Sequence, residues 1–328
     1  MDKIIGLGNA LVDVLVQIPD DSLLVSLDLP RGGMQLVEGE RAAQIAAALA
    51  PLNPRKATGG SAGNAMLALA GLGATPGFIG CVGRDLLGQF YAENGKSVGI
   101  ETQLITADGP TGVAYTLVSP DGERTFGTSL GVAATMTGDD LDASMLRGYG
   151  LLHVEGYLVQ NHALIETALR MAHDEGLRVS LDLASANVVR ADLSFFRHLV
   201  KDYVDIVFAN EEESIAFTDA TSPEAALDVL AAQCDVAVVK LGARGSMARC
   251  GEQFAQATAC PVVVVDTTAA GDFFAGGFLY ALTHSGTLKQ GLRCGAAMSE
   301  QVIQVVGTRL SDSTWQMLRK QIKEILSK

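Results

Sequence analysis

The sequence predicts a doubly wound α/β domain, with a mostly parallel sheet flanked by helices and a small β-sheet lid. Three observations lead there. Short, continuous apolar runs recur along the chain, as expected of strands buried on both faces. Longer segments of helical period separate them over some 250 residues, the rhythm of a doubly wound sheet. Two segments rich in β-type residues and turn signals break that rhythm.

The predicted strands, in order, are KIIGLGN (3–9), GFIGCVG (77–83), GLLHVEG (150–156), LRVSLDL (177–183), VDIVFAN (204–210), VAVVKLG (236–242) and PVVVVD (261–266). Helices are expected at Ala62–Leu72, Leu86–Ser97, His162–Glu175, Pro223–Gln233, Gly271–His284, Leu288–Val306 and Ser311–Ser327. The interruptions are 11–37 and 101–128. In the second, PDG at 120–122 is a strong turn between the arms Tyr115–Val118 and Arg124–Phe126. Paired together, the two segments would make a lid over the main sheet. No repeat, low-complexity tract or Pro-rich linker divides the chain, so residues 1–328 are read as one domain with the lid inserted in it.

Composition narrows the function. With 48% hydrophobic and 19% charged residues in 328, the chain can bury a sizeable core. A net charge of −13 argues against nucleic acid or an anionic membrane as the main partner. Cys81, Cys234, Cys250, Cys260 and Cys294 are scattered without CxxC spacing, which suggests reduced thiols rather than zinc or disulfides. The opening MDKIIGLGNALVDVLV has no signal-type pattern, and no apolar run is long enough to span a bilayer. A cytoplasmic protein is the expectation.

The chemistry concentrates in VVVVDTTAAGDFFAGGFLYAL (262–282). It reads as a buried strand, Val262–Val265, then a turn, then a helix from Phe273 to Leu282. Ala269, Ala270 and Gly271 let a ligand approach the backbone, and unpaired N–H groups with the helix dipole make an anion site there. Asp272, in the first turn, suits a carboxylate that takes a proton from a hydroxyl attacking phosphorus. Taken alone, the same residues also fit a capping acid, with Gly276 and Gly277 as close-packing positions.

DTTAAGDFFAGGFLYAL resembles the C-terminal signature, DTxGAGD, of the ribokinase-like (PfkB) carbohydrate kinase family. GGSAGNAMLALAGLG (59–73), about 200 residues earlier, resembles its N-terminal signature. NEEE (210–213) fits its NxxE element, and GLGNALVDVLVQI and DGERTFGTSLG also fit. The resemblance covers nearly the whole chain and rests on several ordered motifs.

The resemblance implies ATP and Mg2+ as cofactors, with K+ a candidate activator. It makes Asp272 the base and Ala269, Ala270 and Gly271 the anion hole. Asp266 and Thr268 match monovalent-cation positions, although Asp266 also reads as a residue capping a turn. Asn210 and Glu213 would act on magnesium through water and orient the phosphates; the plainer reading is a helix cap with acids in its first turn. Asp13 would accept two hydroxyls of the acceptor, beside Gly59, Gly60 and Asn64. Arg124, on the lid, matches an arginine of adenosine kinases that moves onto the transferring phosphate. Lys240, Gly242 and Gly245, in KLGARGS, resemble the nucleotide-side loop; GxxxxGK[ST] is absent. Glu155 matches a substrate glutamate of ribokinases and Tyr157 an aromatic of adenosine kinases. His153 is read as a packed core residue.

The expected function is an ATP-dependent kinase that phosphorylates a primary hydroxyl of a sugar or nucleoside, with adenosine, ribose and hexoses all open. A monomer or a homodimer paired through the lid would fit. A dehydrogenase is disfavoured because GLGNAL lacks the third glycine of GxGxxG. A non-catalytic sensor on the same fold is the alternative, which the presence of Asp272 opposes.

Overall fold

The computed structural model describes residues 3–328. Its strands are β1 (Ile4–Leu7), β2 (Leu11–Gln17), β3 (Met34–Leu36), β4 (Arg55–Gly59), β5 (Gly77–Gly83), β6 (Glu101–Ala107), β7 (Gly112–Val118), β8 (Arg124–Ser129), β9 (Leu151–Glu155), β10 (Arg178–Asp182), β11 (Ile206–Asn210), β12 (Val236–Lys240), β13 (Ser246–Cys250) and β14 (Gln253–Ala257). Nine form one sheet in the order β14-β13-β12-β11-β10-β9-β1-β5-β6, and five form a second in the order β3-β8-β7-β2-β4. The large sheet is parallel from β12 to β6, and β13 and β14 add an antiparallel edge.

Successive residues of the apolar strands enter two different cores. Ile206, Phe208, Val236 and Val238 face one, with Met66, Phe78 and Phe278. Val207, Ala209, Ala237 and Val239 face the other, with Leu169, Phe196 and Phe217. Helices cover both faces, so alternation would place polar groups in a core; hence the continuous runs. His153 belongs to this interior: it is buried in β9 with Nδ1 3.0 Å from Ser180 Oγ. Burial holds its pKa down near 4.

Three expectations are corrected. Residues 261–265 form no strand, and Val263, Val264 and Val265 are 77%, 57% and 47% exposed. Valine favours extended backbone, but this segment has no neighbouring strand to pair with; the Val265 and Asp266 amides donate instead to the Ile303 carbonyl. Residues 101–107 join the large sheet beside β5, so the second sheet takes only β7 and β8 from the segment 101–128. The fifth strand of that sheet is β4, whose sequence RKATG carries little apolar signal.

The helix Ala270–Thr283 packs on the helix Ser61–Gly71 and on the helix Leu288–Val302. A Cβ on Gly276 would lie 2.7 Å from Ala68 Cβ, and one on Gly277 2.7 Å from the Cys294 carbonyl oxygen. The two glycines therefore set the helix spacing, which brings the starts of the 61–71 and 270–283 helices face to face.

Candidate active site

Strand order reverses at β1. The chain passes from β1 to β5 and β6 on one side and returns to β9 and β10 on the other. Ligand crevices in such sheets open at the carboxyl ends of the strands at this point. Here Asn9 follows β1 and Glu155 ends β9, and a cleft of about 690 Å³ opens beside them. The lid contributes Met34, Leu36 and Phe126 to its walls.

Asp272 stands in this cleft at the start of the 270–283 helix. Its Oδ1 accepts the Ser61 hydroxyl at 2.7 Å and its Oδ2 accepts Asn64 Nδ2 at 2.9 Å. Burial pushes its carboxyl up to about 6, against both of these bonds, with the Asp182 charge adding to the rise. Asn64 Oδ1 is buried without a hydrogen-bond partner among the described residues. A buried oxygen left so is costly unless a donor such as a hydroxyl meets it. Asp13, on β2, is raised to about 7 by burial and then by the Asp272 charge. A Cβ on Gly59 would lie 2.4 Å from Asp13 Oδ1, so glycine there makes room for this carboxylate. Gly60, at φ +87, takes a backbone form open to glycine, and a Cβ would collide with the Asn9 carbonyl.

The turn before Asp272 places Ala269 in the left-handed region, at φ 60 and ψ 10. The Gly271 and Asp272 amides lie in the first helical turn and have no partner within the helix. Lys240 Nζ comes within 3.0 Å of where a Cβ on Gly271 would stand, so a cation faces this amide group. Burial disfavours the Lys240 ammonium, but the Asp182 and Glu213 charges and a 2.7 Å bond to Asp182 outweigh it and raise its pKa. A second cavity, of about 510 Å³, shares Lys240, Gly242, Thr267, Ala270 and Gly271 with the first. Gly245 and Ser246 line only the second. Two ligand-sized spaces thus meet at the amide turn.

Other predicted residues take different parts. Glu155 lines the cleft and also serves as an internal clamp. Its Oε1 accepts Asn9 N and Nδ2 at 2.9 and 2.7 Å, and its Oε2 accepts Ala62 N at 3.0 Å. It thereby joins β1, β9 and the 61–71 helix, and burial lifts its pKa to about 7. Tyr157 lines the cleft, its hydroxyl pKa raised by burial and then by Asp272. Asn210 and Glu213 line the cleft but satisfy each other: Asn210 N and Nδ2 donate to Glu213 at 2.7 and 2.6 Å, and Glu213 N donates back at 2.8 Å. This is a capping box. Burial raises Glu213 to about 7, with Asp182 adding to it. Arg124 does not line the main cleft; its Nη1 donates to Thr268 Oγ1 at 2.8 Å and pairs with Asp266.

Asp182 and Ser61 were not singled out by sequence reasoning. Asp182 ends a predicted strand at the carboxyl edge of the sheet, a position that could have flagged it. Ser61 lies inside the quoted GGSAGN motif.

Comparison with known proteins finds relatives over most of the chain. The pattern of the pfkB family carbohydrate kinases matches residues 43–315. The crystal structure of adenosine kinase from Sinorhizobium meliloti superposes with a TM-score of 0.88 at 31% identity, covering 98% of this chain and 99% of that one. A probable sugar kinase from Rhizobium etli CFN 42 gives 0.88 at 30% identity, covering 98% of each chain. Ribokinase of Haemophilus influenzae is 28% identical over 283 residues, 80% of this chain and 87% of its own length. Kinases of this family use ATP with a divalent metal. The chain belongs to the pfkB carbohydrate kinase family, and it is a carbohydrate or nucleoside kinase.

Proposed function

We propose that this kinase transfers the γ-phosphoryl group of ATP to the primary hydroxyl of a nucleoside, with Asp272 as the base. The observation that carries the proposal is Asp272 itself, held by Ser61 and Asn64 beside the amide turn where the two cavities meet. Bound ATP, with magnesium as its divalent metal, supplies the phosphoryl group. The acceptor occupies the larger cavity. Asp13 accepts two of its hydroxyls, and Asn64 Oδ1 accepts another. Asp272 takes the proton of the attacking hydroxyl, which needs a carboxylate poised near the working pH. The first-turn amides and Lys240 face the charge that spreads over the phosphoryl oxygens. Asn210 and Glu213 face the cleft from β11 and would hold magnesium-bound water, and Gly242 and Gly245 shape the nucleotide side.

A nucleoside is favoured over a free pentose because Met34, Leu36 and Phe126 give the lid wall apolar side chains against which a planar base can pack. Glu155, the residue a ribokinase-type acceptor would use, is committed to protein donors. The test is magnesium-ATP turnover against nucleosides, ribose and hexoses. Adenosine or another nucleoside should turn over with a kcat/KM at least tenfold above any free sugar. A free sugar that outperforms every nucleoside overturns the acceptor assignment. Silence across the panel, with ATP bound, shifts weight to the sensor.

A further inference from the structure

Asp266 is a buried carboxylate whose cation comes from another element. Its side chain is fully shielded, and that of Arg124, on β8 of the second sheet, is 11% exposed. Asp266 Oδ1 accepts the Thr268 amide at 2.7 Å, and Oδ2 accepts the Gly307 amide at 2.5 Å. The Arg124 guanidinium pairs with Oδ1 and donates to Thr268 Oγ1. Among the described residues no other ion pair reaches Asp266. A carboxylate out of water requires such a partner.

Asp266 and Thr268 are the two positions at which the family resemblance expects a monovalent cation. That expectation does not fit the arrangement found, because a guanidinium already contacts both residues. A free cation would need the same space beside the same charge. We propose that Arg124 is the built-in cation of this site and takes the place of a monovalent metal ion. Because Arg124 belongs to the lid, the charge at Asp266 is supplied by the contact of the lid with the main domain. Asp266 also ties the amide turn to the 303–307 segment through Ile303 and Gly307. Lid position and the shape of the turn at 267–271 are therefore linked through one carboxylate.

The test is thermal unfolding of the full chain in KCl, NaCl and tetramethylammonium chloride at equal ionic strength, without nucleotide. The wild type should unfold at the same temperature in all three, within about 1 °C. Arg124→Gln should unfold several degrees lower in tetramethylammonium chloride and recover at least half of that loss in K+ or Na+. Adding Asp266→Asn should abolish the recovery. K+-specific stabilisation of the wild type would overturn the proposal, as would an Arg124→Gln protein indifferent to the cation. If Arg124→Gln does not fold, Asp266→Asn alone is read by limited proteolysis of the 118–124 hairpin. Cleavage several-fold faster than in the wild type supports the Arg124–Asp266 pairing, and an unchanged rate overturns it. Neither readout depends on which acceptor is phosphorylated, so failure here is distinct from failure of the acceptor assignment.

Discussion

Replacing Asp272 by asparagine should make this protein more stable while it stops working. Burial lifts the Asp272 carboxyl from its ordinary 3.8 to about 6. The folded state therefore holds a proton that the unfolded chain releases. The sign follows: this group favours folding below pH 4, and its contribution is lost as pH rises toward 6 and stays lost above it. A difference of about two pH units corresponds to ~3 kcal/mol. That is an upper figure, because the cleft admits water that screens the charge. Asparagine has no charge to desolvate; its oxygen can accept the Ser61 hydroxyl, and its NH2 can donate to Asn64 Oδ1 once the Asn64 amide turns over. For a chain of 328 residues, the unfolding entropy is about 0.7 kcal/mol per kelvin, so 3 kcal/mol is worth about 4 °C. Differential scanning calorimetry of the two proteins should show Asp272→Asn melting about 2–4 °C higher at pH 8, the gap closing by pH 4. Turnover should fall by about 10²–10⁴ with ATP binding retained. A variant that melts lower at pH 8, or by the same margin at every pH, refutes the burial argument. Unchanged turnover refutes the base.

The acid limb of kcat/KM should begin near pH 7 and steepen below 6, since Asp13 is raised to about 7 and Asp272 to about 6 and both act as carboxylates. A flat profile between pH 5 and 8 would remove them from the chemistry. Glu155→Ala should lower stability by ~1–3 kcal/mol, because three buried N–H donors lose their acceptor and this outweighs the relieved burial penalty. A rise in acceptor KM at unchanged melting temperature would instead return Glu155 to the substrate. Ala269→Gly should stabilise by ~1 kcal/mol, about 1–2 °C, by relieving the left-handed alanine. A lower melting temperature would mean that the turn needs the methyl group.

Much of the fold was legible because apolar continuity reports burial on two faces. The six central strands, β1, β5 and β9 to β12, all lie within predicted runs. The helix ends were close because Asp85, Ser222 and Ser311 cap where the sequence places them. The four valines at 262–265 mislead for a physical reason: propensity describes a residue's preference for extended backbone, not whether a neighbouring strand exists. The short strands β13 and β14 carry no such signal: SMARC and QFAQA mix polar with apolar residues, and β14 is exposed along most of its length.

In the site, the sequence alone determined that a carboxylate would follow a turn of small residues at a helix start, because those are local features. Only the tertiary structure decided what each acid does. Glu155 and Glu213 are acids in the same cleft as Asp272, yet the first clamps Asn9 to Ala62 and the second closes a capping box. Arg124 and Asp266 lie far apart in the sequence, and nothing local indicates that they meet. Charge pairing between distant segments depends on how two sheets settle against each other. That is set by packing across the whole molecule, which no stretch of sequence contains by itself.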